Sequence, residues 1–411
     1  MNLNNDLNEF LRKSYLDLED AQELFICQDC VDDPILARRV KALMIERPCV
    51  ACSRVTAKAL VPEVIARYIR KHLPKHFIVD DDLYPGYALT LDGVVGRAIG
   101  CTNEAAQKAI AKHLVVRRAK EEHFYWHGQL YRPAPSPFDS QEHERWYVVS
   151  EWNSIAHQLT HGRRFYNERV NKFFESLMFE AVNAGATDHP LSRPAIRELP
   201  TGTKFFRARL IKSASELNAI KGNPTIELGA PPKERASNNR MSPAGIPLLY
   251  LSGDSDTCIA EVRPSIGDTM VVGQFISKNC LKLFDFTSLA KRLEHTPLSI
   301  LDPLYEQRFL RRRLLQYLHD EIARPVRTND TDYVVTQALA EFIRYDQKQK
   351  FDGVIFGSVQ HEGGINYVLF DKSDLDDLHF HNWLPEFDVE ISQDTLKTYK
   401  IKSVAYEATS T

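Results

Sequence analysis

The sequence predicts an α+β protein: a mainly α N-terminal part that carries a four-cysteine knuckle, followed by a strand-rich C-terminal part. Three observations predict it. Two C-x2-C pairs lie near the start, helical apolar periods fill most of the chain up to residue 186, and short strand-like runs separated by turn residues follow from residue 203. Few helices interrupt those strands, which argues against a doubly wound parallel sheet.

Taken in order, residues 1–24 place Leu7, Phe10, Leu11, Tyr15 and Leu18 at three-to-four spacing, the stripe of an amphipathic helix. Cys27-Gln-Asp-Cys30 and Cys49-Val-Ala-Cys52 then read C-x2-C-x18-C-x2-C, a spacing in which two turns present four thiolates to one tetrahedral zinc. Four sulfurs complete the shell and leave no place for water or substrate, so the expected role is structural. The nearby bases Arg38, Arg39, Lys41, Arg47 and Arg54 are offset by Asp29, Asp32, Asp33 and Glu46, which weakens the case for a nucleic-acid-binding module. Helices are expected over 60–73, 103–122 with Thr102 or Asn103 as cap, and 143–184. The Pro-, Gly- and Thr-rich stretch after them reads as a linker. Beyond it come KFFRARL, IPLLYLS, TMVVGQFIS, LKLFDF, FDGVIFGS and INYVLFD as strands, with helices over 303–324 and 333–347. The expected division is 1–60 for the knuckle, 61–186 for a helical domain, 187–202 for a linker, 203–380 for the strand-rich domain and 381–411 for a tail.

Bulk composition excludes several classes. With 411 residues, 43% hydrophobic and 26% charged, the chain is an ordinary globular one of about two or three domains. The 52 basic and 55 acidic side chains leave a net charge of −3, which gives no general pull toward nucleic acid or an anionic membrane. No apolar run is long enough to span a bilayer and the start is polar, so a cytoplasmic protein is expected. Cys101, Cys258 and Cys280 stand alone and read as reduced thiols.

Dinucleotide and P-loop glycine patterns are absent, as are H-E-x-x-H and G-x-S-x-G; His361-Glu362-Gly363-Gly364 lacks the second histidine. Arg118 and His123 match the R-x4-H spacing of HEPN ribonucleases, but on a helix such a run is usually a solvated face. Arg308, Arg311, Arg312 and Arg313 read the same way, and His379 and His381 as turn or surface residues.

The stretch from Arg240 to Pro264, RMSPAGIPLLYLSGDSDTCIAEVRP, sets Glu261 inside an apolar run. Asp254 or Ser255 can cap a short helix that Pro264 must end, with Glu261 facing inward beside Thr257 and Cys258. Arg240 precedes the strand here and Tyr250 ends it. Arg207 and Arg209 come from an earlier strand and Ser358 from a later one. If they converge, the cleft has guanidiniums, an aromatic face, a hydroxyl and one carboxylate, a set that suits NAD.

FFRARL, NRMSPAGIPLLYLSGDSDTCIAEVRP and DYVVTQALAEFIRYDQKQKFDGVIFGSVQHEGGINYVLFD resemble the RES domain family, named for an Arg, a Glu and a Ser, over about residues 203–372. The N-terminal half, with its cysteine pairs and EWNSIAHQLTHGRRFYNE, looks like the HEPN-like domain often joined to RES domains. The resemblance implies an ADP-ribosyltransferase-like fold with a split, antiparallel-rich sheet. It also implies a toxin or phage-defence enzyme that consumes NAD or transfers ADP-ribose, and a neutralising antitoxin or a target protein as partner. It makes Glu261 the catalytic carboxylate, facing the positive ribose centre that develops as the nicotinamide bond breaks. Arg207 and Arg240 would fork onto the pyrophosphate, Tyr250 would lie near the nicotinamide ring, and Ser358 would position that end of the cofactor. Many RES toxins have Gly-Arg-Trp where this chain has Asn239-Arg240-Met241, so an aromatic platform beside Arg240 is expected to be missing. The rival readings are a HEPN-type ribonuclease using Arg118 and His123, and a non-enzymatic zinc-containing binding module.

Overall fold

The computed structural model describes residues 24–80 except 41, 88–135 except 117, 119 and 121, 141–186, 192–323 except 292, 333–373 except 347, and 385–404. The helix expected over 1–24 falls outside them up to residue 23, and so do His379 and His381. The chain divides into two units, residues 1–140 with 297–307, and residues 141–296 with 308–411.

In the first unit the cysteine region is a small antiparallel sheet: β1 (Ile26–Cys27) and β2 (Ala42–Pro48) both pair with β3 (Val55–Leu60). Beyond it, α1 (Pro62–Ile69), α2 (Leu91–Ile99) and α3 (Glu104–Leu114) bury Ile65, Ile69, Ile99 and Ile110 at 1% exposure or less. A two-stranded pair, β4 (Phe77–Val79) with β5 (Tyr131–Pro133), adds the buried Tyr131.

Asn103 is the cap of α3, its side chain accepting from the Ala106 N–H. The helix expected to run on to residue 122 stops at Leu114. Val115 is extended, the Val116 N–H turns to the Tyr125 carbonyl, and Arg70 donates to the last helical carbonyls of His113 and Leu114. Two consecutive β-branched residues favour this exit. Arg118 and His123 are therefore exposed residues beyond the helix, and the His123 Nδ1 accepts from the Tyr125 N–H.

The second unit opens with α4 (Gln141–His161) and α5 (Glu168–Asn183), two helices where one helical region was expected. Asn167 caps the second by accepting from the Val170 N–H. A short pair, β6 (Gly185–Ala186) with β12 (Leu293–Glu294), follows. The main sheet has nine strands: β7 (Ile196–Leu199), β8 (Lys204–Ile211), β9 (Leu249–Ser252), β10 (Thr269–Ser277), β11 (Leu281–Asp285), β13 (Gly353–Gly357), β14 (Ile365–Leu369), β15 (Val389–Ile391) and β16 (Lys397–Lys400). Their order is β15-β10-β8-β9-β14-β13-β11-β7, with β16 on β10 beside β15, and every pairing is antiparallel except β11 with β13.

Phe205, Leu249, Leu251, Val271, Leu283 and Leu369 form the core on this sheet. The α+β class stands. Two segments expected to lie outside the strand-rich domain belong to its sheet: residues 196–199 of the linker pair with β11, and residues 389–391 and 397–400 of the tail pair with β10. Their patterns, IREL and KTYK, are too short and polar to announce edge strands.

The sheet is split in its middle. β8 runs alongside β10 through eight residue pairs from Thr269↔Ile211 to Ile276↔Lys204, yet it meets β9 at Phe206↔Ser252 alone. Among the other helices of the unit are α7 (Tyr305–Ala323) and α8 (Val334–Arg344). Arg308, Arg311 and Arg312 of α7 were expected on a solvated face, but they enter ion pairs with Glu180 and Glu151, whose side chains are 2% and 22% exposed. No helix among the described residues is long and apolar enough to cross a membrane.

Candidate active site and metal centre

Where β8 and β9 diverge, a cleft of about 340 Å³ opens, lined by Phe206, Arg207 and Ala208 on one strand and Tyr250, Leu251 and Ser252 on the other. Arg240, Glu261, Tyr333 and Asn366 close its remaining sides. Its volume is at the low end of the roughly 300–1,000 Å³ range of small-molecule sites.

Glu261 stands on α6 (Ser255–Val262), which begins because Asp254 accepts from the Thr257 N–H at 2.7 Å. The helix ends at Arg263, a left-handed residue before Pro264. Thr257 and Cys258 face inward as expected, but Glu261 is exposed to the cleft. Its Oε1 accepts two short hydrogen bonds, from Ser358 Oγ and Asn366 Nδ2, both at 2.6 Å. Asn366 is in turn oriented by Ser252, whose hydroxyl donates to its Oδ1 at 2.8 Å. Oε2 has no hydrogen-bond partner among the described residues.

Ser358 is not on the cleft wall. Its hydroxyl donates to Glu261 and accepts the Gln360 and His361 N–H groups, both at 3.1 Å. One proton and two lone pairs are thereby used within the protein.

Arg207 donates to the Tyr250 carbonyl at 3.3 Å. Burial, together with the Arg209 charge, pushes its pKa down to about 10, which leaves it a cation at neutral pH. Arg209 is drawn away from the cleft by Glu227, taking its carbonyl at 2.8 Å and its carboxylate at 2.7 Å. Arg240 sits on a turn that α8 holds: Thr336 donates to the Arg240 carbonyl, and the buried Gln337 amide to Asn238, the Asn239 carbonyl and the Ser242 carbonyl. The Arg240 guanidinium donates to the Ile322 carbonyl, and burial lowers its pKa. The Tyr250 hydroxyl accepts the Met241 N–H and contacts Ser242, both at 3.2 Å, so its oxygen ties down the Arg240 turn while the residue lines the cleft. Burial pushes its pKa up to about 12.

The missing platform has a substitute. Met241 is 2% exposed and packs into the core, while the Tyr333 ring lies 5.8 Å from the Arg240 guanidinium, within cation–π range.

The RES domain family model matches residues 220–389, which include Arg240, Tyr250, Glu261 and Ser358 and leave Arg207 just outside. The chain carries a RES domain. That family is associated with NAD-utilising toxins, so a general NAD-related role fits the RES domain of this chain. No curated protein matches the chain.

Sequence reasoning missed Asn366, Tyr333 and Ser252. The run INYV did carry a signal for the first, since an amide in an otherwise apolar strand needs a buried partner.

The four cysteines of the first unit also converge. Their sulfurs all lie within 4.8 Å of one another, with Cys27 3.5 Å from Cys30 and 3.6 Å from Cys52, and Cys30 3.8 Å from Cys49. Zinc–sulfur bonds of about 2.3 Å in a tetrahedron place sulfurs about 3.8 Å apart, so the group can hold a metal of that size. Backbone N–H groups of Cys27 and Ala51 point at the Cys49 sulfur, both at 3.3 Å, as donors that stabilise a thiolate.

Proposed function

We propose that the RES domain cleaves the bond between nicotinamide and ribose in NAD. The observation that carries this reading is the half-bound carboxylate of Glu261, locked through Oε1 and open through Oε2, in a cleft that also holds two arginines. As the glycosidic bond breaks, its electron pair goes to the nicotinamide nitrogen and positive charge builds on the ribose. Oε2 accepts from a ribose hydroxyl and faces that charge without having to reorganise. The planar Arg207 and Arg240 guanidiniums suit the pyrophosphate oxygens, and Tyr250, Phe206 and Tyr333 offer apolar and aromatic surface to the rings. The ADP-ribosyl group passes to water, phosphate or a protein side chain. The family association supports a toxin or defence role with an antitoxin as partner.

In the first unit, Cys27, Cys30, Cys49 and Cys52 would hold one structural Zn²⁺, closing the β1–β3 knuckle. Stoichiometric zinc by elemental mass spectrometry is the expected result, and metal-free native protein would refute it.

No geometric observation favours the ribonuclease reading, because Arg118 and His123 are exposed and off the helix. Incubation with NAD should release nicotinamide from wild-type protein and far more slowly from Glu261→Gln. Equal release from both would end the proposal.

A further inference from the structure

The loop that carries Ser358 joins β13 to β14, and its outer residues Glu362 and Gly363 are exposed. Two side-chain hydrogen bonds tie it to α6 among the described residues: Ser358 to Glu261, and His361 to Thr257 at 2.8 Å. Thr257 is fully buried, and its Oγ1 also lies 2.6 Å from Asp254 Oδ2. The loop backbone presses on the same hydroxyl, for a Cβ on Gly364 would come within 2.5 Å of Thr257 Oγ1.

Proton counting fixes the direction of this chain. The ionised Asp254 carboxylate can only accept, and Oδ1 already takes the Thr257 N–H, so the single threonine proton goes to Oδ2. Thr257 Oγ1 then offers a lone pair to His361, whose Nδ1 must carry a proton.

We propose that His361 is a positioning residue for Glu261: the chain Asp254, Thr257, His361 clamps the β13–β14 loop onto the cap of α6 and so holds Ser358 Oγ in register with the carboxylate. The His361 backbone reinforces this, since its own N–H donates to Ser358 Oγ at 3.1 Å. Both ends of the Ser358–Glu261 bond are thereby fixed by one buried hydroxyl. The inference rests on the NAD-cleavage reading for its effect on rate, but not for its geometry.

Two measurements test it. In nicotinamide release, His361→Ala should lower kcat about tenfold, the equivalent of one lost oriented hydrogen bond, with KM for NAD changed less than about twofold. His361→Asn, whose amide can donate to Thr257, should recover most of that loss, and Thr257→Ser should behave as wild type where Thr257→Val does not. A kcat for His361→Ala within twofold of wild type, or equal impairment in His361→Ala and His361→Asn, overturns the clamp. Should His361→Ala fail to fold, the Thr257→Ser and Thr257→Val pair decides by the same criterion. Nitrogen-15 NMR of histidine-labelled protein reads the geometry without activity. The resonance lost in His361→Asn should show a protonated Nδ1 near neutral pH, and a neutral ring protonated only on Nε2 overturns the clamp. If wild type releases no nicotinamide, the NAD reading fails and the NMR result alone decides the clamp.

Discussion

Two glutamates of the second unit sit on helices in nearly interchangeable settings, Met178-Phe-Glu180-Ala-Val182 and Cys258-Ile-Ala-Glu261-Val262, and the protein uses them in opposite ways. Glu180 is 2% exposed and saturated by cations, with Arg308 on Oε1 at 2.5 Å and Arg312 on Oε2 at 2.6 Å. Glu261 is exposed to the cleft, and two neutral donors hold one of its oxygens while the other stays open. A buried carboxylate with both oxygens paired to arginines is a joint between helices. One whose orientation is fixed and whose valence is incomplete is prepared for something outside the protein.

Neutralising each in turn should separate the two roles. Glu180→Ala leaves Arg308 and Arg312 facing an uncompensated site, and breaking such a buried network costs about 3–5 kcal/mol of stability. Denaturant unfolding should show that loss as a lower midpoint at unchanged slope, with the KM for NAD preserved in protein that remains folded. Glu261→Gln should do the reverse. Nicotinamide release should fall on the order of 10²–10³-fold, as when one preorganised charge-stabilising group is removed, while the unfolding midpoint stays put. A variant that lost both activity and stability at Glu261 would erase the distinction.

The contrast also explains what the sequence could and could not announce. The C-x2-C pairs were legible because one tight turn brings each pair of sulfurs together locally. Strand β10 was legible over its whole length, because TMVVGQFIS is long and apolar. Nothing in MFEAV or CIAEV separates a glutamate paired through both oxygens from one held through a single oxygen; that depends on Arg308 and Arg312 from α7 in one case and on Ser358 and Asn366 from the far side of the chain in the other. Arg308, Arg311 and Arg312 of α7 were misread for the same reason, since their charge looks solvated until α4 and α5 are packed against them, whereas Arg313 is exposed as expected. At Met241 the local comparison misled outright, because the aromatic neighbour of Arg240 comes from residue 333.

A smaller effect sharpens the account of Oε1. Ser358→Ala removes one of its two donors and leaves Asn366 in place, so kcat should drop about tenfold, the worth of roughly one charge-assisted hydrogen bond, with KM little changed. Asn366→Ala should cost stability as well, because the buried Ser252 hydroxyl then loses its acceptor. If Ser358→Ala instead raised KM alone, the hydroxyl would be touching the cofactor after all.

The smallest expected effect has an unusual sign. Arg207 is a cation held in the cleft at a cost: burial first, then repulsion from Arg209, bring its pKa to about 10 against 12.5 for a free guanidinium. Between those two values the unfolded chain binds the proton and the folded one does not, so stability rises with pH through that window and the penalty is fully present below about pH 10. At neutral pH, therefore, Arg207→Met should melt slightly higher than wild type, by about 2 °C or roughly half a kcal/mol, while KM for NAD rises about tenfold. Glu180 and its arginines give up stability when the charge is removed; Arg207 should gain it and lose function. A lower melting temperature for Arg207→Met would mean that its 3.3 Å hydrogen bond to the Tyr250 carbonyl outweighs the burial of its charge, and that Arg207 belongs with Glu180 among the structural groups.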